Sequence, residues 1–215
     1  MRSFLTAAAL TLFFLLPCLT RAQGVDSAQY KKIYTSLAEA KKEPLKVYRL
    51  NLSNLPSDSF PIDLSVFKNL WYLCLNNDHL EYIPSSVGEL QNLRVLELNG
   101  EDFKTLPPAF SKLKNLEELY MNVNKKIDLT SNVQLLSGLP KLKILHLEGD
   151  GISKLPANFS KLSHLEKLYL NNNNFTDVPP EIQGLKSLKY VDMQNNAVPQ
   201  IRMEKYKTFG YSIHF

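Results

Sequence analysis

From Val47 onward, large apolar residues recur in a fixed order along the chain: one, a gap of two, a second, a gap of one, then a third. The first members of each set are Val47, Leu70, Leu93, Leu116, Leu142, Leu165 and Leu188, spaced by 23, 23, 23, 26, 23 and 23 residues. A unit this short cannot bury its apolar side alone. It must stack on its neighbours, so the pattern predicts a solenoid. Within a unit, Leu73 and Leu75 alternate with Tyr72, Cys74 and Asn76. That predicts a short strand with leucines inward and the other residues outward. Prolines at Pro61, Pro84, Pro107, Pro156 and Pro179 mark where the chain leaves the apolar run, a place that needs no backbone donor. The pairs Val87/Leu90, Phe110/Leu113, Phe159/Leu162 and Ile182/Leu185 follow at a spacing of three. Such spacing suits a helical turn on the opposite, convex side.

The clearest unit runs LEKLYLNNNNFTDVPPEIQGL from Leu165 to Leu185. It resembles the leucine-rich repeat family in the 23-residue form LxxLxLxxNxLxxLPxxhxxLxx, and seven in-phase units over residues 47–200 carry the likeness. The resemblance implies an α/β solenoid, a horseshoe with short parallel strands on its concave face. It also implies a partner held on that face; from the residues themselves, no catalysis and no cofactor are expected. The family's turn asparagine falls on Leu55, Asp78, Glu101, Asn124, Asp150, Asn173 and Asn196. An aspartate there accepts hydrogen bonds but cannot donate them when ionised, and leucine does neither. Irregular turns are therefore expected at Leu55 and Glu101. The fourth unit carries three extra residues, placed within Asn124–Ser131, and lacks the proline. This stretch is expected to bulge as a loop.

Flanking segments differ in pattern. Met1-Arg2, the apolar run Phe4 to Leu16 and Thr20-Arg21-Ala22 read as a cleavable signal peptide over residues 1–22. The run is too short to span a bilayer comfortably, so no stable membrane insertion is expected after cleavage. Pro17 before Cys18 argues against lipidation. Residues 23–46 read as an N-terminal helical cap, with Tyr30, Ile33, Tyr34, Leu37 and Ala38 at helical spacing and Pro44 ending the segment. Residues 201–215 read as a C-terminal cap, because Phe209 to Phe215 alternate large and polar side chains as an edge strand does. The repeat domain itself spans 47–200.

Charge and cysteines narrow the function classes. The whole chain has 25 basic and 21 acidic residues. Losing Arg2 and Arg21 with the signal leaves 23 against 21, or +2, too balanced for nucleic-acid binding. Cys74 would then have no partner for a disulfide. Exported animal members of the family often carry cysteine-rich caps. Their absence points to a bacterial protein of the periplasm, cell surface or medium, expected to be monomeric.

Outward strand positions align into columns. One reads Asn51, Cys74, Glu97, Tyr120, His146, Tyr169, Asp192, and its neighbour reads Arg49, Tyr72, Val95, Glu118, Ile144, Lys167, Tyr190. Tyr120, His146 and Tyr169 thus form one aromatic strip, flanked by Ile144 and Tyr190. Exposed aromatics on a rigid sheet suit a protein interface. The candidate site is Tyr72, Glu97, Glu118, Tyr120, Ile144, His146, Lys167, Tyr169, Tyr190 and Asp192, with Glu97, Glu117, Glu118 and Glu148 as an acidic margin. A third column, Ser53, Asn76, Asn99, Asn122, Glu148, Asn171 and Gln194, is rich in amides. It leaves glycan or cell-envelope polymer binding as an alternative. Enzyme readings are weak. Three strand spacings put Cys74 roughly 14 Å from His146, and His79, His164 and His214 lack paired ligands at metal-binding spacing.

Overall fold

The computed structural model describes residues 30–55, 63–203, 206 and 210–215. The expected signal peptide, the start of the N-terminal cap, and the calls on Pro61 and Phe209 lie outside these residues. The described chain forms one parallel sheet of eight three-residue strands in sequence order. They are β1 Arg49–Asn51, β2 Tyr72–Cys74, β3 Val95–Glu97, β4 Glu118–Tyr120, β5 Ile144–His146, β6 Lys167–Tyr169, β7 Tyr190–Asp192 and β8 Ser212–His214. A parallel strand can pair its backbone only with adjacent coils, so the sheet is the spine that joins them.

The core is built from repeated columns. Leu50, Leu73, Leu96, Leu119, Leu145, Leu168 and Val191 occupy the strand centres and are essentially buried. Behind them lie Val47, Leu70, Leu93, Leu116, Leu142, Leu165 and Leu188, also buried. After each proline the convex side is a 3-10 turn, over Ser85–Glu89, Pro108–Lys112, Ala157–Lys161 and Pro180–Gly184. The expected pairs are its anchors. Val87, Phe110, Phe159 and Ile182 have no exposed surface, and their leucine partners are buried beside them. The solenoid inferred from the period is the fold.

The long coil departs from expectation. Its extra residues make no loop but an eight-residue helix, Leu129–Leu136. Its start is fixed by Asp128, whose Oδ1 accepts from the Thr130 and Ser131 amides. Asn132 sits one repeat on from Leu106, where the other coils place an apolar residue before proline. It is 1% exposed. Its Oδ1 accepts from the Leu106 amide, and its Nδ2 donates to the carbonyls of Lys104 and Asp128. The helix is therefore docked by a buried amide as well as by Val133 and Leu136.

Both ends are closed by the chain itself. At the N-terminal end a helix is present over Leu37–Ala40, followed by a 3-10 turn over Pro44–Lys46. It is shorter than the helical cap expected, because Tyr34 bridges to Leu50 and extends the sheet edge instead. Tyr34 N donates to the Arg49 carbonyl and Asn51 N to the Tyr34 carbonyl. Pairing the free edge of β1 outweighs the helical preference of this segment. At the other end β8 pairs with β7 as expected, with Ile213 opposite Val191.

A buried polar column closes each coil. Asp78, Glu101, Asn124, Asp150 and Asn173 are all nearly fully buried. Each reaches back to the amides of the preceding coil. Asp78 takes the Leu55 amide at 2.7 Å, Asn124 the Glu101 amide at 2.7 Å and Asp150 the Asn124 amide at 2.6 Å. Glu101 does not disrupt its turn. Its longer side chain accepts from both the Asp78 and Leu80 amides. The irregularity expected at Glu101 therefore does not occur; Leu55 donates its amide to Asp78, and the turn that follows it lies outside the described residues. Where asparagine stands, Nδ2 also donates to carbonyls, as Asn124 does to Leu98 and Asn173 to Leu147. Aspartate cannot make that bond when ionised, and Oδ2 of Asp78 and of Asp150 has no partner.

One turn residue is strained. The left-handed position of successive coils holds Asn54, Asn77, Gly100, Val123, Gly149, Asn172 and Asn195. Val123 has φ of 60°, which crowds a β-branched side chain.

Two tests follow from these turns. Val123→Asn should raise the unfolding free energy by about 1 kcal/mol, read from urea unfolding. Burial, reinforced by the Glu148 charge, pushes the Asp150 carboxyl up to about 7. The folded state thus binds this proton more tightly than the unfolded state, where a pKa of about 3.9 applies, so stability should fall as pH rises from about 4 to about 7. Asp150→Asn should flatten that slope and stabilise the protein by about 1–2 kcal/mol above that window, checked by unfolding across pH.

Candidate functional site

Strand pairing places the two outward columns in the register expected from the sequence. Tyr120 lies opposite His146, and His146 opposite Tyr169. Because pairing strands stand about 4.8 Å apart, planar side chains in one column can stack. They do. The Tyr120 and His146 rings are 3.8 Å apart and 13° from parallel, and His146 and Tyr169 are 4.3 Å and 2°. The series continues with tilted contacts from Tyr169 to Tyr190 at 5.5 Å and Tyr190 to His214 at 5.1 Å. The aromatic strip therefore has five rings. His214, in the terminal strand, is the member that column reading missed.

Exposure along this ladder is uneven. Tyr120 and His146 are each only 8% exposed, so the expectation of an open strip fails at these two residues. Tyr72, Cys74, Val95 and Tyr120 form a small apolar cluster of their own on this face, with Trp71 packed against it. Large neighbours on adjacent strands cover one another although they point away from the main core. The ladder opens only beyond His146. Tyr169, Tyr190, Lys167, Ile144 and Asp192 are half-buried, and His214 is exposed.

Nor is the acidic margin free. Glu97 accepts from the Tyr72 hydroxyl and from Asn76 Nδ2, both at 2.7 Å. Glu118 accepts from the Tyr120 hydroxyl at 2.7 Å and lies 3.1 Å from His146 Nε2. Glu148 accepts from Asn122 Nδ2 and lies 3.6 Å from His146 Nδ1. Glu117 faces Arg94 at 3.7 Å. His146 is thus held between two carboxylates along its edge and two tyrosine rings on its faces. Burial alone would lower its pKa, but the hydrogen bonds and charges of Glu118 and Glu148 outweigh it and raise the pKa above the ordinary 6.5. The same bonds hold both carboxyls below their usual range despite burial.

The amide column is engaged in the structure. Asn76 Oδ1 accepts the Asn99 amide, Asn99 Oδ1 the Asn122 amide and Asn122 Oδ1 the Glu148 amide. These side chains tie successive coils together. Cys74 is buried and free. Burial and the charge of Glu97 push its thiol up to about 11, which leaves it a poor nucleophile near neutral pH.

An aromatic cluster at the N-terminal end went unread in the sequence. Tyr30 stacks on Trp71 at 5.4 Å and packs on Tyr48 at 5.5 Å. The Arg49 guanidinium lies 5.3 Å from the Trp71 ring and 5.0 Å from the Tyr72 ring. The signal was available one position before Tyr72 in each unit, where the column reads Tyr48, Trp71, Arg94, Glu117, Lys143, Glu166, Lys189. Its charged members pair across coils, Lys143 with Glu166 at 2.9 Å among them.

Comparison with known proteins agrees with this architecture. The sequence signature described as leucine rich repeat matches residues 140–198. A leucine-rich repeat protein of Leptospira interrogans superposes with a TM-score of 0.62 at 26% identity, over 85% of this chain and 54% of that one. The chain thus has the leucine-rich repeat fold. A chain of the Toll–Spatzle complex of Drosophila superposes on the repeat protein with a TM-score of 0.59 at 25% identity, over 71% of this chain and 20% of that one. The plant peptide hormone receptor RGFR1 in complex with RGF2 shares the fold, with a TM-score of 0.50 at 23% identity over 71% of this chain and 25% of that one. The repeat protein thus spans about half the length of the Leptospira chain and a quarter or less of the other two. No curated protein sequence matches it.

The ladder's uneven burial sets two expectations. Tyr120→Ala should cost about 2–4 kcal/mol of stability by opening a cavity beneath His146, whereas Tyr169→Ala should cost less than about 1.5 kcal/mol. Thermal and urea unfolding of both variants check this. His146 contributes stability that is fully present below its unfolded pKa of about 6.5 and is lost as pH rises through the higher folded value. His146→Phe keeps a ring in the stack and should remove the decline in stability above about pH 7 that the parent shows in the same unfolding series.

Proposed function

We propose that the repeat protein is a non-catalytic, exported module that holds a protein partner on the C-terminal half of its concave sheet. One observation carries this reading. The aromatic ladder, closed and internally bonded at Tyr120 and His146, comes to the surface at Tyr169 and Tyr190, beside Lys167, Ile144 and Asp192. Large rings on a rigid sheet lose little conformational freedom on binding, which makes them effective interface anchors. The similar Toll chain is described in complex with Spatzle, a protein ligand. Support for export comes from the composition of residues 1–22 and from nothing else. No helix among the described residues is long and apolar enough to cross a membrane. Glycan binding has less support, because the amide oxygens of Asn76, Asn99 and Asn122, three of the five amides in the column, are bonded between coils.

The candidate residues divide accordingly. Tyr169, Tyr190, Lys167, Ile144 and Asp192 are assigned to partner contact. Tyr72, Glu97, Glu118, Tyr120 and His146 are assigned to the rigid platform beneath and beside it. A pull-down from envelope and culture-fluid extracts with residues 23–215 tests the division. The parent should capture a specific protein, and a Tyr169→Ala/Tyr190→Ala double variant should lose about tenfold or more of that capture while remaining folded. Equal capture by both would overturn the concave-face reading.

A further inference from the structure

A groove borders the inserted helix. It has a volume of about 430 Å³ and lies between the long coil and the next one on the turn side of the solenoid, away from the concave columns. Ile127, Leu129, Ile152, Leu155 and Pro156 line it, with Lys125 and Lys154 at its rim. Ile152 and Leu155 are buried, whereas both lysines are exposed. Neighbouring cations are already neutralised. Lys126 pairs with Asp102 at 3.0 Å, and Lys143 pairs with Glu166. Lys125 and Lys154 have no such carboxylate among the described residues. The groove therefore joins a few apolar side chains, the half-buried Ile127 and Leu129 foremost, to uncompensated positive charge on a largely polar lining, the opposite of the acidic concave centre.

Two further observations mark the place. Asp150 lines the groove, and its Oδ2 is buried without a hydrogen-bond partner. Beside it the left-handed turn position is occupied by strained Val123, which leaves an aliphatic side chain 53% exposed where other coils have asparagine or glycine. Strain at this residue is unfavourable for folding.

We propose that this groove is a second binding site, occupied by an acidic peptide segment that inserts one apolar side chain between the long coil and its neighbour. Ile127, Leu129, Ile152 and Leu155 receive the apolar side chain, and Lys125 and Lys154 meet the carboxylates on either side of it.

A titration with defined probes tests this without knowledge of the natural partner. The probe is the peptide Asp-Glu-Leu-Phe-Asp-Glu, with an all-acidic peptide of equal charge and a peptide replacing its acids by Gln as controls. Methyl resonances of Ile127, Leu129 and Ile152 should shift on addition of the probe and respond weakly to either control. Lys125→Glu/Lys154→Glu should weaken binding about tenfold or more, since two rim charges are reversed. Tyr169→Ala/Tyr190→Ala should leave it unchanged, which separates this site from the concave one. Absence of methyl shifts at millimolar probe would overturn the proposal. So would equal binding of the all-acidic control, or full affinity in the lysine variant.

Discussion

The architecture depends on one constraint: every coil must satisfy its turning backbone through the coil that follows it. A short parallel strand has no hairpin partner within its own repeat, and the turn after it buries amides far from water. The column from Asp78 to Asn196, buried as far as Asn173, meets that demand by aiming one side-chain oxygen at the previous coil. An unmet buried amide costs on the order of 1–3 kcal/mol, comparable to removing much of a core leucine. Register between strands follows from these bonds as much as from the leucines. Glu101 illustrates the rule, because a longer carboxylate still reaches two amides and the coil closes.

That register turns a sequence column into a physical line of contacts. Residues 23 or 26 apart become neighbours at strand spacing, so Tyr120, His146 and Tyr169 stack face to face. The stack in turn fixes the electrostatics. Glu118 and Glu148 can both reach the imidazole only because its ring plane is set by the tyrosines on either side. A raised His146 pKa and two depressed carboxyl pKa values are the result. The centre of the concave face is consequently stiff and internally compensated, and adaptable contact is left to the C-terminal strands.

Much of this was legible in the sequence for a definite reason. Strict spacing specified the strands, the inward leucines and the pairing of Tyr120 with His146 and Tyr169, because register in a solenoid is arithmetic. Exposure was not legible in the same way. Whether Tyr120 is open depends on how wide its neighbours on two other strands are and on what lies over them, and a column records neither. The fourth coil was misread because the missing proline suggested irregularity. Yet Asp128 followed by Ser131, with Val133 and Leu136 three apart, spelled a capped helix. At the N-terminal end helical spacing was real but local, and the unpaired edge of β1 drew Tyr34 into the sheet. Trp71 escaped notice because it stands one position outside the alternating pattern.

The helix Leu129–Leu136 carries a consequence for how such a molecule can change. Three added residues are close to one helical turn, and they are absorbed wholly on the outer side, leaving Glu118 opposite Ile144 and Tyr120 opposite His146. The inner and outer surfaces are thus insulated from each other. Length can vary outside without disturbing alignment inside, so new outer features can arise in any coil while an existing inner surface continues to operate.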